Sequence, residues 1–499
     1  MNWQGELESV LDDLDSRGRH ADYRVHVEDI GRVRAIGDGI AHVEGLASAM
    51  QDEIVVFANG VQAQVVDLGR DEVGCMLHGS DEGVVAGSSV TRTGRLVMAP
   101  VGDALLGRVV DALGHPRDGG GPLGAVAEAP LEREAPGVIE REPVHEPLYT
   151  GIKAIDAAIP IGLGQRELIL GDRETGKTSL ALDTVINQRD TGVTCVYACI
   201  GSQRASVREL TEELRRADAL AHTVVVVADA GEPAALRYLA PYAAATMAEW
   251  FAYRGRPALV VYDDLTRHAE AYRDLSLVLR RPPSREAYPG DIFYLHARLM
   301  ERAFKLNQTR GGGSVTALPI LETQRGNFAG FIPSNLISMT DGQIYLDPTL
   351  AAEGQLPAVD IGRSVSRVGG NAQLGAMREA AVNVRLDLAQ YAEVKGFARF
   401  GALLDESTRR QLEHGQRLSM LLRQPERRPL PALVQIAELW ALKSGLLDGL
   451  PLDKLPVLED RLLASLSTLV HLRSSLSSAH GIDDEFAAQL RPWILAASA

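Results

Sequence analysis

The stretch that most constrains this chain is Gly171-Asp172-Arg173-Glu174-Thr175-Gly176-Lys177-Thr178, which fits G-x-x-x-x-G-K-S/T at every position. An apolar run, Leu168–Leu170, precedes it and a helical stretch, Thr178–Gln188, follows. Glycines let such a loop curl until backbone N–H groups and the helix N-terminus surround an anion. Lys177 is then placed to reach the β- and γ-phosphates of a nucleotide, and the Thr178 hydroxyl to ligate Mg²⁺. Farther on, Leu259-Val260-Val261-Tyr262-Asp263-Asp264 reads as an apolar strand ending in two acids. It is expected beside the phosphate strand, with Asp263 turned towards the Mg²⁺ and Asp264 capping the helix Leu265–Leu279.

The flanking chain agrees with this. Apolar runs at Glu167–Leu170, Val193–Ile200, Thr223–Ala228, Ala258–Tyr262 and Ser314–Leu321 alternate with helical stretches. Nearly continuous Val/Ile/Leu strands between helices mark a parallel sheet covered on both faces. At 499 residues the chain is too long for one core, and about three domains are expected. Residues 1–24 carry Leu7, Val10, Leu11 and Leu14 at helical spacing; so short a helix needs a partner or moves freely. Over 25–95, short β-type runs are separated by Gly37-Asp38-Gly39, Asn59-Gly60 and Gly87-Ser88, which suggests a small closed β-barrel. The nucleotide-binding domain is assigned to 96–376, with Gly114–Gly137 as an exposed excursion. Beyond it strand signals stop. Leucines at helical spacing in Leu430–Leu447, Val457–Leu476 and Glu485–Leu495 indicate an α-helical bundle over 377–499.

Composition weighs against some functions. A net charge of −15 argues against a nucleic-acid machine. Aromatics are only 5% of residues, so the cores must be built from Val, Leu, Ile and Ala. The N-terminus lacks the basic and apolar regions of a signal peptide, and its acids argue against a transit peptide. No apolar stretch reaches the length of roughly 18 residues that a membrane helix needs. These features together suggest a cytosolic or peripheral protein. Cys195 and Cys199 fall on one face of a strand and, without further ligands for zinc, are expected to be buried free thiols.

Longer motifs carry a resemblance. Gly171–Thr178, Tyr262-Asp263-Asp264-Leu265, the run Arg280–Asp291, Gly311–Pro319, Ile337–Ile344 and Ser364-Val365-Ser366-Arg367-Val368-Gly369 resemble the alpha subunits of F-type ATP synthases. Gly37–Leu46 and Leu105–Gly114 fit as well, and the likeness spans about residues 25–445 in the manner of a divergent bacterial member. The resemblance implies a β-barrel, a RecA-like α/β P-loop domain and a helical bundle. It also implies bound Mg-ATP or Mg-ADP and a hexameric ring alternating with beta subunits around a gamma shaft. Further expectations are a peripheral stalk met through the N-terminal region, indirect contact with the membrane sector, and a place on the cytoplasmic side of the bacterial membrane. Nucleic acid is not an expected partner. Residue by residue, Arg367 is implied as an arginine finger acting in the neighbouring catalytic site, with Ser364 shaping the same loop. Pro357 and Gln424 fall in the adenine pocket.

Catalytic beta subunits of this family end the strand after the loop helix with Gly-Glu. Here it ends Ile200-Gly201-Ser202-Gln203. A serine hydroxyl accepts a proton from water poorly, so a general-base contribution of about 10²–10⁴-fold is missing. The isolated chain is therefore expected to bind nucleotide without efficient turnover. Ser202 also departs from the Gln usual in alpha chains, as do Glu174 from Gln, Leu356 from Arg, and Glu426 from the second adenine-contacting Gln. Two other readings stay open. A catalytic ring ATPase, of beta or secretion type, would require a carboxylate at position 202. An RNA translocase would require stacking aromatics on a barrel whose only aromatic is Phe57.

Overall fold

The computed structural model describes residues 29–398, 405–468, 472 and 481–498. The helical segment expected over 1–24 lies outside them. The chain divides into two compact units, one ending at Leu96 and one beginning at Val97.

The first unit is a closed barrel. Its strands run in the order Ile30–Gly37, Ile40–Glu44, Val73–Leu77, Gln62–Leu68, Glu53–Phe57 and Ser89–Leu96, and the last pairs with the first. Alternation places Val33, Val43, Val55, Phe57, Val65, Cys75, Leu77 and Val90 inside. The first hairpin turns on Asp38 and Gly39, both with positive φ (49° and 78°), the backbone that matches strand twist in a two-residue loop. Glu53, fully buried, ties its strand to Ser89–Leu96: it takes the Arg92 guanidinium at 3.0 Å and the N–H groups of Met50 and Gly94 at 2.9 and 2.8 Å.

The second unit is built on a nine-stranded sheet. Its path runs Val365–Ser366, Gly342–Leu346, Leu168–Gly171, Ser314–Glu322, Pro257–Asp263, Thr194–Ser202, Thr223–Asp229 and Val109–Asp111, with Phe304–Lys305 pairing off the path. Every neighbour on the path is parallel except Val365–Ser366, which is antiparallel to Gly342–Leu346. One expectation is corrected here. Ser314–Glu322 lies between the phosphate strand and the strand of Asp263, so those two are not neighbours. The Gly114–Gly137 stretch is not wholly an excursion either, because Ala127–Pro130 pairs with Met98–Val101. Cys195 and Cys199 are buried free thiols in one core with Tyr197.

Beyond residue 372 the described chain is helical: Gly375–Ala380, Val384–Ala398, Glu406–Leu421, Ala432–Lys443, Leu455–Ser465 and Asp484–Ser498. Leu433, Ile436, Leu458, Leu490 and Ile494 belong to the same buried core as Ile169, Leu180 and Ile320 of the sheet domain. Among the described residues no helix is long and apolar enough to cross a membrane.

Polar ties reinforce that shared core. Asp156, on the short helix Lys153–Ala158, accepts from Thr150, Gly151 and the Gln435 amide at 2.7–2.9 Å. Lys153, only 2% exposed, places Nζ 2.6 Å from Glu459 and 3.2 Å from Glu438, both of them buried. Removing one partner of a buried ion pair leaves an uncompensated charge, at a cost of about 3–5 kcal/mol. Lys153→Met is therefore expected to lower unfolding free energy by about that amount in a urea titration. Adding Glu438→Gln and Glu459→Gln should recover part of the loss. An unchanged midpoint in the single variant would show that the cluster is solvated.

Candidate functional site

The loop takes its shape from two close approaches and two left-handed residues. A Cβ at Gly171 would stand 2.8 Å from both the Leu346 carbonyl and the Thr175 hydroxyl, so only glycine lets the strand end pack there. Glu174 and Gly176 have φ of 62° and 96°, the left-handed backbone of which anion-binding nests are built. Asp172 braces the loop. Its Oδ1 accepts from Thr323 Oγ1 at 2.7 Å and from Gly326 N at 2.8 Å, and its carbonyl accepts from Thr175 Oγ1 at 2.8 Å. Arg173 and Glu174 point into solvent, 76% and 88% exposed and 3.9 Å apart. The carboxylate at 174 thus stands away from the interior of the loop.

The helix Lys177–Asn187 begins at the loop. Lys177 is nearly buried and donates from Nζ to the Asp172 carbonyl at 2.5 Å. Burial lowers its pKa, while the carboxylates of Glu322, Asp264, Asp263 and Asp172 favour its charged form. Thr178 Oγ1 donates to Asp263 Oδ2 at 3.0 Å, and the Tyr197 hydroxyl donates to the same oxygen at 2.8 Å. Burial raises the Asp263 carboxyl above the ordinary aspartate range, against these two bonds and the pull of Lys177. Asp264 caps the helix Leu265–Val278 by accepting from Arg267 N at 2.9 Å. Its carboxyl is pushed up to about 7, first by burial and then by Asp263.

The intervening strand brings in a residue that sequence reasoning passed over. Glu322 ends Ser314–Glu322, pairs in register with Gly171, and lies close enough to Lys177 to act on its charge. The signal was present, since Glu322 also follows an apolar run, as Asp263 does. Tyr197 was hidden because nothing in its strand marks one hydroxyl as the one that reaches Asp263.

A cleft leads away from the loop, lined by Thr175, Gly176, Leu346, Leu356, Pro357 and Gln424 among others. Pro357 and Gln424 are therefore brought to the loop from distant parts of the chain. The Gln424 side chain, however, is occupied by backbone. Its amide nitrogen donates to the carbonyls of Gly151 and Arg428, each at 2.7 Å, and its oxygen accepts from Lys153 N at 3.0 Å. It builds the wall of the cleft from the helical domain.

Ser202 closes the strand Thr194–Ser202, half-buried, opposite Asp229. Asp229 is held by Arg204 at 2.7 Å. Ser364 is fully buried and structural in its bonding, donating to the Asp360 carbonyl at 2.6 Å and accepting from Tyr345 N at 2.9 Å. Arg367 stands at the other extreme. Its backbone is fixed to the Asp341 carbonyl at 2.8 Å, but its side chain is exposed. The buried Glu167 carboxyl feels its charge, which opposes the upward push of burial on that group.

Known proteins match this arrangement in chain order. Residues 26–94 match the beta-barrel domain of the ATP synthase alpha/beta family, 151–366 its nucleotide-binding domain, and 373–496 the C-terminal domain of its chains. The chain is 51% identical over 449 residues to ATP synthase subunit alpha of Staphylococcus aureus strain Newman, covering 90% of this chain and 89% of that one. The subunit alpha of strain COL matches to the same extent. With its barrel, phosphate loop and helical domain all matched in sequence, the chain belongs to the ATP synthase alpha/beta family.

Proposed function

We propose that this chain is the nucleotide-holding, non-catalytic alpha-type subunit of an ion-translocating F-type ATP synthase. Gly171, Asp172, Arg173, Glu174, Thr175, Gly176, Lys177 and Thr178 form its binding loop for Mg-ATP or Mg-ADP, and Pro357 and Gln424 border the base. Arg367 completes the catalytic site of the adjacent beta subunit. The observation that carries this reading is the combination of an intact phosphate loop with Ser202 at the strand end. Binding geometry is present, while the carboxylate that would activate water is not. The acid in register with Ser202, Asp229, is engaged by Arg204 at 2.7 Å. Activity then belongs to the assembled enzyme and not to the chain alone.

Mg²⁺ fits the residues at the loop. Among the described residues no group of three or more His, Cys, Asp or Glu side chains is arranged to hold a metal, but Mg²⁺ seldom needs one. It binds through one or two protein oxygens and completes its shell with phosphate oxygens and water. Thr178 Oγ1 and Asp263 Oδ2, 3.0 Å apart, supply that kind of donor, with Asp263 acting through water. When bound, the ion would neutralise phosphate charge. Tyr197 holds the Asp263 carboxylate in place, and Lys177 supplies the complementary cation.

In the complex, the proposal places the subunit in a ring with beta subunits around gamma. It meets the peripheral stalk through its N-terminal region and the membrane sector only indirectly, on the cytoplasmic side of a bacterial membrane. Arginine suits the trans role because its planar fork can grip equatorial phosphate oxygens as charge redistributes. An exposed Arg367 on an anchored backbone is available for that. Ser364 fixes the segment that carries it.

Three outcomes test the reading. Lys177→Ala should weaken Mg-ADP binding by on the order of 2–5 kcal/mol in calorimetry, as expected for removing the charged partner of an enclosed phosphate; equal affinities would make the loop merely structural. The purified chain should show no steady ATPase activity once contaminants are removed, and robust turnover would overturn the non-catalytic assignment. Arg367→Lys in the assembled ring should keep assembly and nucleotide binding while cutting multisite turnover by roughly a hundredfold or more. Normal turnover would remove Arg367 from the mechanism, and failed assembly would make it an interface salt bridge.

A further inference from the structure

Arg367 follows a strand that is too short to hold it alone. Val365–Ser366 has two residues, lies at the edge of the sheet and pairs with Gly342 and Gln343. So short an edge strand is marginal by itself, and an exposed arginine has many rotamers to lose before it can act from one direction. Three consecutive residues, Gln165, Arg166 and Glu167, supply restraint from just before the phosphate strand Leu168–Gly171. The Arg166 guanidinium forks onto Asp341, Nη2 to Oδ1 at 2.7 Å and Nε to Oδ2 at 2.9 Å. Its backbone N–H adds a third bond to Oδ2 at 3.0 Å, and its carbonyl accepts from Asp341 N at 2.8 Å. The Asp341 carbonyl is in turn the acceptor for Arg367 N at 2.8 Å. Gln165 Nε2 donates to Ser366 Oγ at 3.1 Å and to the buried Glu167 Oε2 at 2.7 Å. Glycine at 342 lets these groups meet: a Cβ there would stand 2.2 Å from the Val365 carbonyl and 2.5 Å from Glu167 Oε2.

We propose that Arg166 is a positioning residue for Arg367, gripping Asp341 so that the carbonyl holding the finger's backbone stays fixed; the inference rests on the finger reading of Arg367. A guanidinium meets a carboxylate as a planar fork, so two parallel bonds set orientation as well as distance. With two backbone bonds beside them, Asp341 has little freedom to pivot. Turning it would tilt its carbonyl, and the backbone of Arg367 would follow. A finger reaches across a subunit boundary, so a small angular error at its base grows along the side chain. Misplacing a catalytic group by about 1 Å can cost on the order of a hundredfold in rate. The Arg166–Asp341 pair does not act on this chain's own phosphates. It precedes the strand Leu168–Gly171, whereas the phosphate loop starts at the other end of that strand. Its loss should therefore reach the neighbour's chemistry and leave the local nucleotide site alone.

The test is multisite turnover of the assembled ring, co-expressed with a beta-type partner, for Arg166→Met, Arg166→Lys and Asp341→Asn. Arg166→Met should keep assembly and this chain's Mg-ADP affinity while lowering kcat about ten- to a hundredfold at unchanged KM. Asp341→Asn keeps the carbonyl and the size of the side chain, and should lower kcat in the same direction by less. Arg166→Lys should recover only part of the loss, since an ammonium lacks the fork. In an Arg367→Lys background, Arg166→Met should change kcat by less than about twofold, because both changes act through one side chain. Wild-type turnover by Arg166→Met would overturn the proposal. So would an equal loss in both backgrounds, because Arg166 would then act elsewhere. If Arg166→Met and Asp341→Asn both fail to assemble, the pair is a folding element and the positioning role falls. Failure of the underlying finger reading would look different: Arg367→Lys alone would then turn over normally.

Discussion

Parallel pairing is the constraint on which the rest of this structure depends. When strands run in the same direction, their C-terminal ends share one edge of the sheet, and side chains far apart in sequence meet there. Gly171 pairs with Glu322, Tyr262 with Pro319, and Cys199 with Asp263. That register places the phosphate loop, Glu322, Asp263 and Ser202 along a single edge. The Thr178–Asp263 contact at 3.0 Å exists only because the loop helix and a strand two positions away are held by that edge. A one-residue slip in any of these strands would turn the terminal acid to the other face.

The edge carries more negative than positive charge. Lys177 faces Glu322, Asp264, Asp263 and Asp172, and burial strengthens each interaction while making an unpaired charge costly. A free polyphosphate arriving there would meet four carboxylates and one lysine. A divalent cation changes that balance, which is the electrostatic reason the proposed ligand is a magnesium complex. Asp264 relieves part of the crowding, since a carboxyl pushed up to about 7 is readily protonated. Its work as a helix cap needs only an acceptor oxygen, so losing charge does not end that role.

What could be read in advance follows from how local the signal is. The phosphate loop is contiguous and its flanks are adjacent, so Gly171 to Thr178 could be assigned from sequence alone. The barrel was legible because Asp38-Gly39 and Asn59-Gly60 punctuate alternating strands. Strand order was not, since an apolar run says nothing about which neighbour its crossover chooses, and Ser314–Glu322 was inserted where adjacency had been expected. Ala127–Pro130 was missed because four residues ending in proline resemble a loop. The helices Val384–Ala398 and Glu406–Leu421 were missed because their charged faces dilute the leucine pattern. The family likeness put Gln424 at the base pocket, but only coordinates reveal that its amide serves Gly151, Lys153 and Arg428.

That last detail joins the nucleotide cleft to the helical domain. Gln424 bonds to the backbone on either side of Ile152, and the side chain of the next residue, Lys153, is buried between Glu438 and Glu459 of the helical domain. Arg427, three residues on, grips Asp183 on the loop helix and Glu213 on the helix Arg204–Arg216. The segment from Gln424 to Arg428 is thus fastened to the nucleotide domain at both ends. A shift of the helices would have to break buried, charge-assisted bonds or carry the cleft wall with it. The Lys153 pairs with Glu438 and Glu459 are buried, so separating them would leave uncompensated charge in low dielectric. The helical domain and the wall of the cleft are therefore held by one connected set of bonds in this chain.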